Sequence, residues 1–308
     1  MMNCLIIGFG SIGRRHAGIL KDLGFEVSIV SQRDDIKDYR CFNSIEKAFL
    51  FVTPDYVVIS NRTSDHEKVL SELISLGFNE KLLIEKPVFQ KEHSNLRFDH
   101  HNTYIAYNLR FHPIIQDIQK YVKDKRIISM HVYCGQYLPN WRSGSDYKKS
   151  YSSSKSQGGG VLRDLSHELD YINWLTDGWQ SVTAVGGKFS DLKINSDDTY
   201  CILLEMNKCP AVSLQINYVD KKARREIIIN TEESSLKADL INNYIRIDSN
   251  EKKEYLINKN LTYINQHKAV INGENEHLCS YSEGLDVLRL ILSTEEAAKK
   301  KIWVKKRT

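Results

Sequence analysis

Gly8, Gly10 and Gly13 stand in the spacing G-x-G-x-x-G, directly after the apolar run Asn3–Ile7 and directly before a helical pattern in which Ile12, Ile19, Leu20 and Leu23 share a face. Glycines so placed between a strand and a helix can cradle a pyrophosphate. Gly8 permits the tight turn, Gly10 lets the backbone approach the phosphates, and Gly13 lets helix and strand pack closely. Ser11 and Ile12 open the helix, where free N–H groups and the dipole favour an anion. A second strand, Glu26–Val30, runs into Ser31-Gln32-Arg33. A site for NAD carries Asp or Glu near this point to bind the ribose 2′-OH. Ser31, Gln32 and Arg33 offer donors and no carboxylate, which favours a 2′-phosphate and hence NADP(H). Asp34 and Asp35 come late for the acidic role unless a loop returns one of them.

These residues need a sheet to hold them. Strand-like runs at 56–60, 81–85 and 103–107 alternate with helical patterns at 43–51 and from His66 through Val69, Leu70 and Leu73. That alternation predicts a parallel, doubly wound sheet. Ligands bind beyond the carboxyl ends of such strands. Gly8, Ser31, Asn61, Lys86 and Asn108 all fall there, and His66 opens the helix after Asn61. After about residue 110 the pattern changes. A helix at 113–122 and a strand at 126–134 precede a polar, aromatic stretch with Trp141, Arg142, Tyr147 and Tyr151. Gly158-Gly159-Gly160 and a helix at 162–175 follow. Successive strand-like runs from 181 to 257, with no helices between them, predict an antiparallel or mixed sheet. Leu278, Tyr281, Leu285, Leu288 and Leu292 mark a C-terminal helix. The fold class expected is α/β: a Rossmann domain over 1–110 and a second α/β domain with an open sheet over 111–308, the helix at about 275–300 able to pack back on the first.

Composition narrows the function. A net charge of +4 on 308 residues is too small to argue for nucleic acid. No uninterrupted apolar run has the length of a membrane span. The six cysteines form no C-x-x-C pair, so neither a metal site nor a redox motif is expected. Scattered cysteines and the lack of a cationic leader fit a cytoplasmic protein.

Taken together, G-F-G-S-I-G-R-R-H from Gly8, Glu85-Lys86-Pro87, the stretch Tyr107 to Pro113, and Gly158-Gly159-Gly160 ahead of His167-Glu168-Leu169-Asp170 resemble the Gfo/Idh/MocA family along essentially the whole chain. The resemblance implies NAD(P)-dependent hydride transfer at a ring carbon of a sugar or cyclitol, and dimers or tetramers built through the open sheet. It implies that Glu85, Lys86 and Asn108 lie by the cofactor and that Lys86 and His167 handle the hydroxyl proton. An ammonium beside that oxygen stabilises the developing alkoxide, and an imidazole titrates near neutral pH. Asp170, three residues after His167, orients it in this reading. The family places a further aspartate four residues before the histidine; Arg163 stands there and Asp164 one later, so Asp164 shares the role as an alternative. Arg110, Arg163 and Arg142 fall in segments that the family brings to the substrate, with Trp141, Tyr147 and Tyr151 as candidate walls for a sugar ring. Guanidiniums suit carboxylate and phosphate. The reading is therefore an anionic sugar: a sugar acid, a sugar phosphate or a nucleotide-linked sugar. The alternative is that each arginine pairs with a protein carboxylate such as Asp146, Asp164 or Glu168. Two other functions remain open: a non-catalytic NAD(P)-sensing protein, and a redox-assisted epimerase or hydrolase that recycles its cofactor in place.

Overall fold

The structure, a computed structural model, describes residues 2–92, 96–141, 144 and 146–307. From the N-terminus the chain forms β1 (Asn3–Ile7), α1 (Ser11–Asp22), β2 (Glu26–Val30), β3 (Arg40–Phe42), α2 (Ile45–Phe49), β4 (Tyr56–Ile59), α3 (His66–Ser75), β5 (Lys81–Ile84) and β6 (Thr103–Ile105). It continues through α4 (Pro113–Val122), β7 (Ile127–Gly135), α5 (Val161–Asp164), α6 (His167–Leu175), β8 (Trp179–Gly187), β9 (Thr199–Met206), β10 (Ala211–Asn217), β11 (Arg224–Thr231), β12 (Ser235–Asp239), β13 (Tyr244–Ile247) and β14 (Lys253–Glu254). Then come α7 (Leu261–Asn272), β15 (Cys279–Ser280), α8 (Tyr281–Lys300) and β16 (Val304–Lys305).

Two compact units result: residues 1–111 with 259–286, and residues 112–258 with 287–308. A single cut near residue 110, as the sequence suggests, leaves α7 and β15 in the wrong unit. Periodicity tells which face of a helix is apolar but not whose core it enters. The first unit holds a seven-stranded sheet ordered β15-β6-β5-β4-β1-β2-β3, parallel except for β15. The chain goes from β1 to β2 and β3 on one side, then returns to build β4, β5 and β6 on the other. Strand order therefore reverses between β1 and β4, which is the switch point where ligands enter such sheets. Helix α1 buries Ala17, Ile19 and Leu20 and stops at Gly24, whose φ of +87° caps the helix in the left-handed region.

The second unit holds a nine-stranded sheet ordered β14-β13-β12-β11-β7-β10-β9-β8-β16. Only β7 and β10 pair in parallel. Its strands alternate: along β9, Tyr200, Ile202, Leu204 and Met206 are buried while Cys201, Leu203 and Glu205 are exposed. One face thus packs under helices and the other is open. The single helix expected over 162–175 is broken at Leu165-Ser166 into α5 and α6, and the apolar residues of both pieces are buried. Among the described residues no helix is long and apolar enough to cross a membrane, and no group of three His, Cys, Asp or Glu is placed to hold a metal.

Candidate active site

In the first unit the glycine turn has the geometry its spacing requires. Gly8 sits at φ +97°, and a Cβ there would lie 2.5 Å from the Asn61 nitrogen on the neighbouring β4 end. A Cβ on Gly13 would lie 2.2 Å from the Gly8 carbonyl oxygen. A Cβ on Gly10 would meet nothing within 4 Å, the open side from which a pyrophosphate can approach Ser11 and Ile12 at the start of α1. These residues fit a dinucleotide.

The adenosine end differs from the expectation. Arg33 donates from Nε and a terminal nitrogen to both oxygens of Asp35, at 2.8 and 2.7 Å, and Arg14 reaches the same carboxylate at 3.3 Å. The bond to Arg33 pulls the Asp35 carboxyl down to about 2. Asp35 thus occupies the guanidinium expected to be open for a 2′-phosphate. Ser31 Oγ accepts the Arg33 N–H, and the Gln32 side chain donates to the Asn43 carbonyl.

Two further residues expected at the cofactor serve the protein. His66 is buried, with Nδ1 3.0 Å from the Val88 carbonyl and Nε2 3.4 Å from the Asn61 carbonyl. Burial lowers its pKa. Asn108 is buried and donates to Thr262 Oγ1 at 2.7 Å.

Glu85 and Lys86 follow β5, and the Lys86–Pro87 peptide is cis. Glu85 heads a chain of buried polar groups that the sequence did not announce. His16 Nε2 lies 2.9 Å from Glu85 Oε1, His16 Nδ1 lies 2.8 Å from His267 Nε2, and His267 Nδ1 lies 3.0 Å from the Tyr56 hydroxyl. The Lys86 N–H donates to the other Glu85 oxygen at 3.1 Å. Burial holds His267 well below the ordinary imidazole range and Tyr56 well above the ordinary phenol range. Burial also pushes Glu85 up, but the His16 bond and charge and the Lys86 charge pull harder, so its carboxyl ends below its usual value. Both ring nitrogens of each histidine thus have a partner, and the chain of contacts runs from Tyr56 through His267 and His16 to the carboxylate that precedes Lys86.

In the second unit His167 opens α6 and is half-buried between buried neighbours, with its Nδ1 out of contact with solvent. Asp170 is fully buried one turn on. Asp164 accepts the Tyr218 hydroxyl, and Trp141 packs edge-on against Tyr218 with centroids 5.1 Å apart. The Trp141 indole N–H is buried with no acceptor among the described residues. Tyr147 Oη accepts the Lys193 N–H, and the Tyr151 hydroxyl donates to the Gly158 carbonyl. Arg142 lies outside the described residues.

The expectation that the arginines meet a substrate anion is corrected by their partners. Arg110 is 1% exposed and donates to Glu283 at 2.8 Å and to the Leu278 carbonyl at 3.3 Å. Arg163 is buried and grips Glu295 from two nitrogens at 3.1 and 3.2 Å. Both follow the carboxylate-pairing alternative, with carboxylates other than the three suggested by the sequence. Asp197 was also missed. Its carboxylate accepts the Leu162 N–H and would collide with a Cβ on Gly160, and burial raises it to about 6.

Residues 115–237 match the family model described as the GFO/IDH/MocA C-terminal domain. The family expected from the motifs is thus the family found, in the unit that carries His167. No curated protein sequence matches the chain. Solved structures do, over nearly their whole length. They include levoglucosan dehydrogenase in complex with NADH (16% identity, TM-score 0.83, covering 99% of this chain and 98% of that one). The WlbA dehydrogenase from Bordetella pertussis in complex with NADH and UDP-GlcNAcA matches at 17% identity and TM-score 0.79, covering 100% and 99%. UDP-N-acetylglucosamine 3-dehydrogenase GnnA from Acidithiobacillus ferrooxidans matches at 20% identity and TM-score 0.75, covering 97% and 98%. At these identities the likeness is one of fold.

Proposed function

We propose that the protein is a nicotinamide-dependent oxidoreductase that moves a hydride between NAD(P) and a hydroxyl-bearing ring carbon of a sugar-like substrate. The observation that carries this reading is the glycine turn at the switch point, open over Gly10, with the carboxylate-anchored Glu85-Lys86 pair two strands away in the same sheet. Bound NAD(P) would supply the hydride acceptor or donor. Ser11, Ile12 and the glycine turn hold its pyrophosphate, and the β2 end holds its adenosine ribose. The Lys86 ammonium stabilises the alkoxide oxygen, His167 takes or returns the hydroxyl proton, and Asp170 or Asp164 orients His167. Trp141, Tyr147 and Tyr151 supply the sugar wall. The neighbours solved with NADH and with sugar ligands support this class, and two of them are named for nucleotide-linked sugars.

Within that class we favour an anionic sugar, although Arg110 and Arg163 no longer argue for it. A second copy of the chain covering the open sheet, where Ile128, Leu203 and Val185 are exposed, is the assembly proposed. The setting proposed is the cytoplasm.

The decisive experiment titrates NADH and NADPH by fluorescence, then follows nicotinamide absorbance with matched neutral and phosphorylated or nucleotide-linked sugars. Binding of neither cofactor would refute the proposed function. For the cofactor we propose NADP(H), with Asp35 limiting the preference through its hold on Arg33. Asp35→Ala should strengthen NADPH relative to NADH by about tenfold, the value of a freed charge-assisted bond. An unchanged ratio would show that Arg33 does not face the ribose.

A further inference from the structure

The second unit has a cationic cavity that no residue discussed as catalytic lines. It opens to solvent between the loop at 148–157 and the loop at 192–195, and measures about 560 Å³. That is within the size range of sites for small organic ligands and more than a simple ion needs. Lys148, Lys149 and Lys193 line it, together with Gln157 and Asn195, and no Asp or Glu does.

The donors that remain for a ligand can be counted. Ser150 Oγ is spent on the Tyr147 carbonyl and Ser153 Oγ on the Lys148 and Ser150 carbonyls. Asn195 Oδ1 accepts the Lys155 N–H at 2.8 Å, which leaves its amide N–H groups for a ligand. Among the described residues none of the three ammonium groups has an ion pair. The carboxylate closest in sequence, Asp146, caps its own turn by accepting the Lys148 N–H. The two loops are stitched together by the Asn195 bond and by Tyr147 Oη, which accepts the Lys193 N–H. The frame is therefore built by the fold, and the charged groups facing the cavity are all cationic donors.

We propose that this cavity binds the diphosphate of a nucleotide-linked substrate. Three like charges without a counter-ion repel one another and raise the local concentration of anions. Lysine binds phosphate as a compact point charge. Three such charges with two amides match the several oxygens and two or more charges of a diphosphate better than a single carboxylate. The nature of the ligand rests on the sugar-oxidoreductase reading, whereas anion binding by the lysines does not depend on it.

The test is calorimetric titration of the full chain with inorganic pyrophosphate, inorganic phosphate, UDP and uridine, in the presence of saturating NADH so that the glycine turn is filled. Pyrophosphate and UDP should bind at least tenfold more tightly than phosphate, uridine should not bind, and added salt should weaken both binders. The variant Lys148→Gln/Lys149→Gln/Lys193→Gln changes only exposed side chains; it should lose tenfold or more for pyrophosphate and UDP and bind NADH as before. Phosphate binding as tightly as pyrophosphate, or a variant with unchanged affinities, overturns the proposal. NADH binding is read in the same experiment. Its failure counts against the proposed function alone, and the pyrophosphate titrations repeated without cofactor still decide the cavity.

Discussion

Lys86→Met and His167→Ala should each lower turnover by about 100-fold or more, the usual contribution of a positioned acid or base. Both variants should still fold and bind NADH. Neither residue belongs to the glycine turn, and neither is fully buried. Methionine keeps the length of the Lys86 stem and removes only the ammonium. Because the charge on the substrate oxygen develops during hydride transfer, the loss should fall on kcat and kcat/KM alike, with KM little changed. The measurement is the initial rate at the nicotinamide absorbance with whichever sugar the substrate panel identifies. A His167→Ala enzyme with near-parent turnover would show that another group holds the hydroxyl proton. Loss of NADH binding in Lys86→Met would instead make that residue part of the cofactor site.

The second large effect is on stability and lies one residue from His167. Glu168 is completely buried, and Arg225 Nε is 2.8 Å from its Oε1, in ion contact outside hydrogen-bond angles. Arg225 is on β11 opposite Cys134 of β7, and Tyr171 is on α6 one turn after Glu168. Burial disfavours the guanidinium charge, but Cys134, Glu168 and Tyr171 favour it more strongly, so the Arg225 pKa ends raised. The Cys134 thiol is pushed up to about 12, chiefly by burial. Glu168→Ala leaves that guanidinium without its partner and should destabilise the protein by about 3 kcal/mol. Glu168→Leu combined with Arg225→Met removes both charges and should recover most of the loss, since apolar replacement of a buried pair is often neutral or stabilising. Urea unfolding measures both. A single variant within 0.5 kcal/mol of the parent, the ordinary range for surface substitutions, would mean that the pair contributes nothing to holding α6 on the sheet.

How much of this was legible in the sequence depends on how local each constraint is. The glycine turn was legible because its demands are met within a few residues: the positive φ at Gly8, and the Gly13 Cα against the Gly8 carbonyl. The strands of both sheets were legible where they alternate or run apolar between turn residues. The partners of the charges were not. Arg110 finds Glu283 across 173 positions and Arg163 finds Glu295 across 132. Nothing in the neighbourhood of an arginine says whether its anion is a substrate or a distant glutamate. Arg33 is the intermediate case: its partner Asp35 is two residues away, so the pair was visible, but which way the loop turns was not. Helix α7 escaped notice because it mixes polar and apolar residues, and its buried face includes Gln266 and His267.

His267 has one more consequence, for the order in which the protein can be made. It lies 251 positions from His16, yet it supplies the hydrogen-bond partner of His16 Nδ1 and that of the Tyr56 hydroxyl. A chain made only as far as residue 111 already contains the glycine turn and six strands of the first sheet, with those polar groups still without their His267 partner. An unmatched buried donor or acceptor costs about 1–3 kcal/mol, a large part of what holds a domain together. The first unit is therefore completed only after the intervening 147 residues of the second have been synthesised. Fragments ending before α7 should be poor stand-ins for the nucleotide-binding half of the protein.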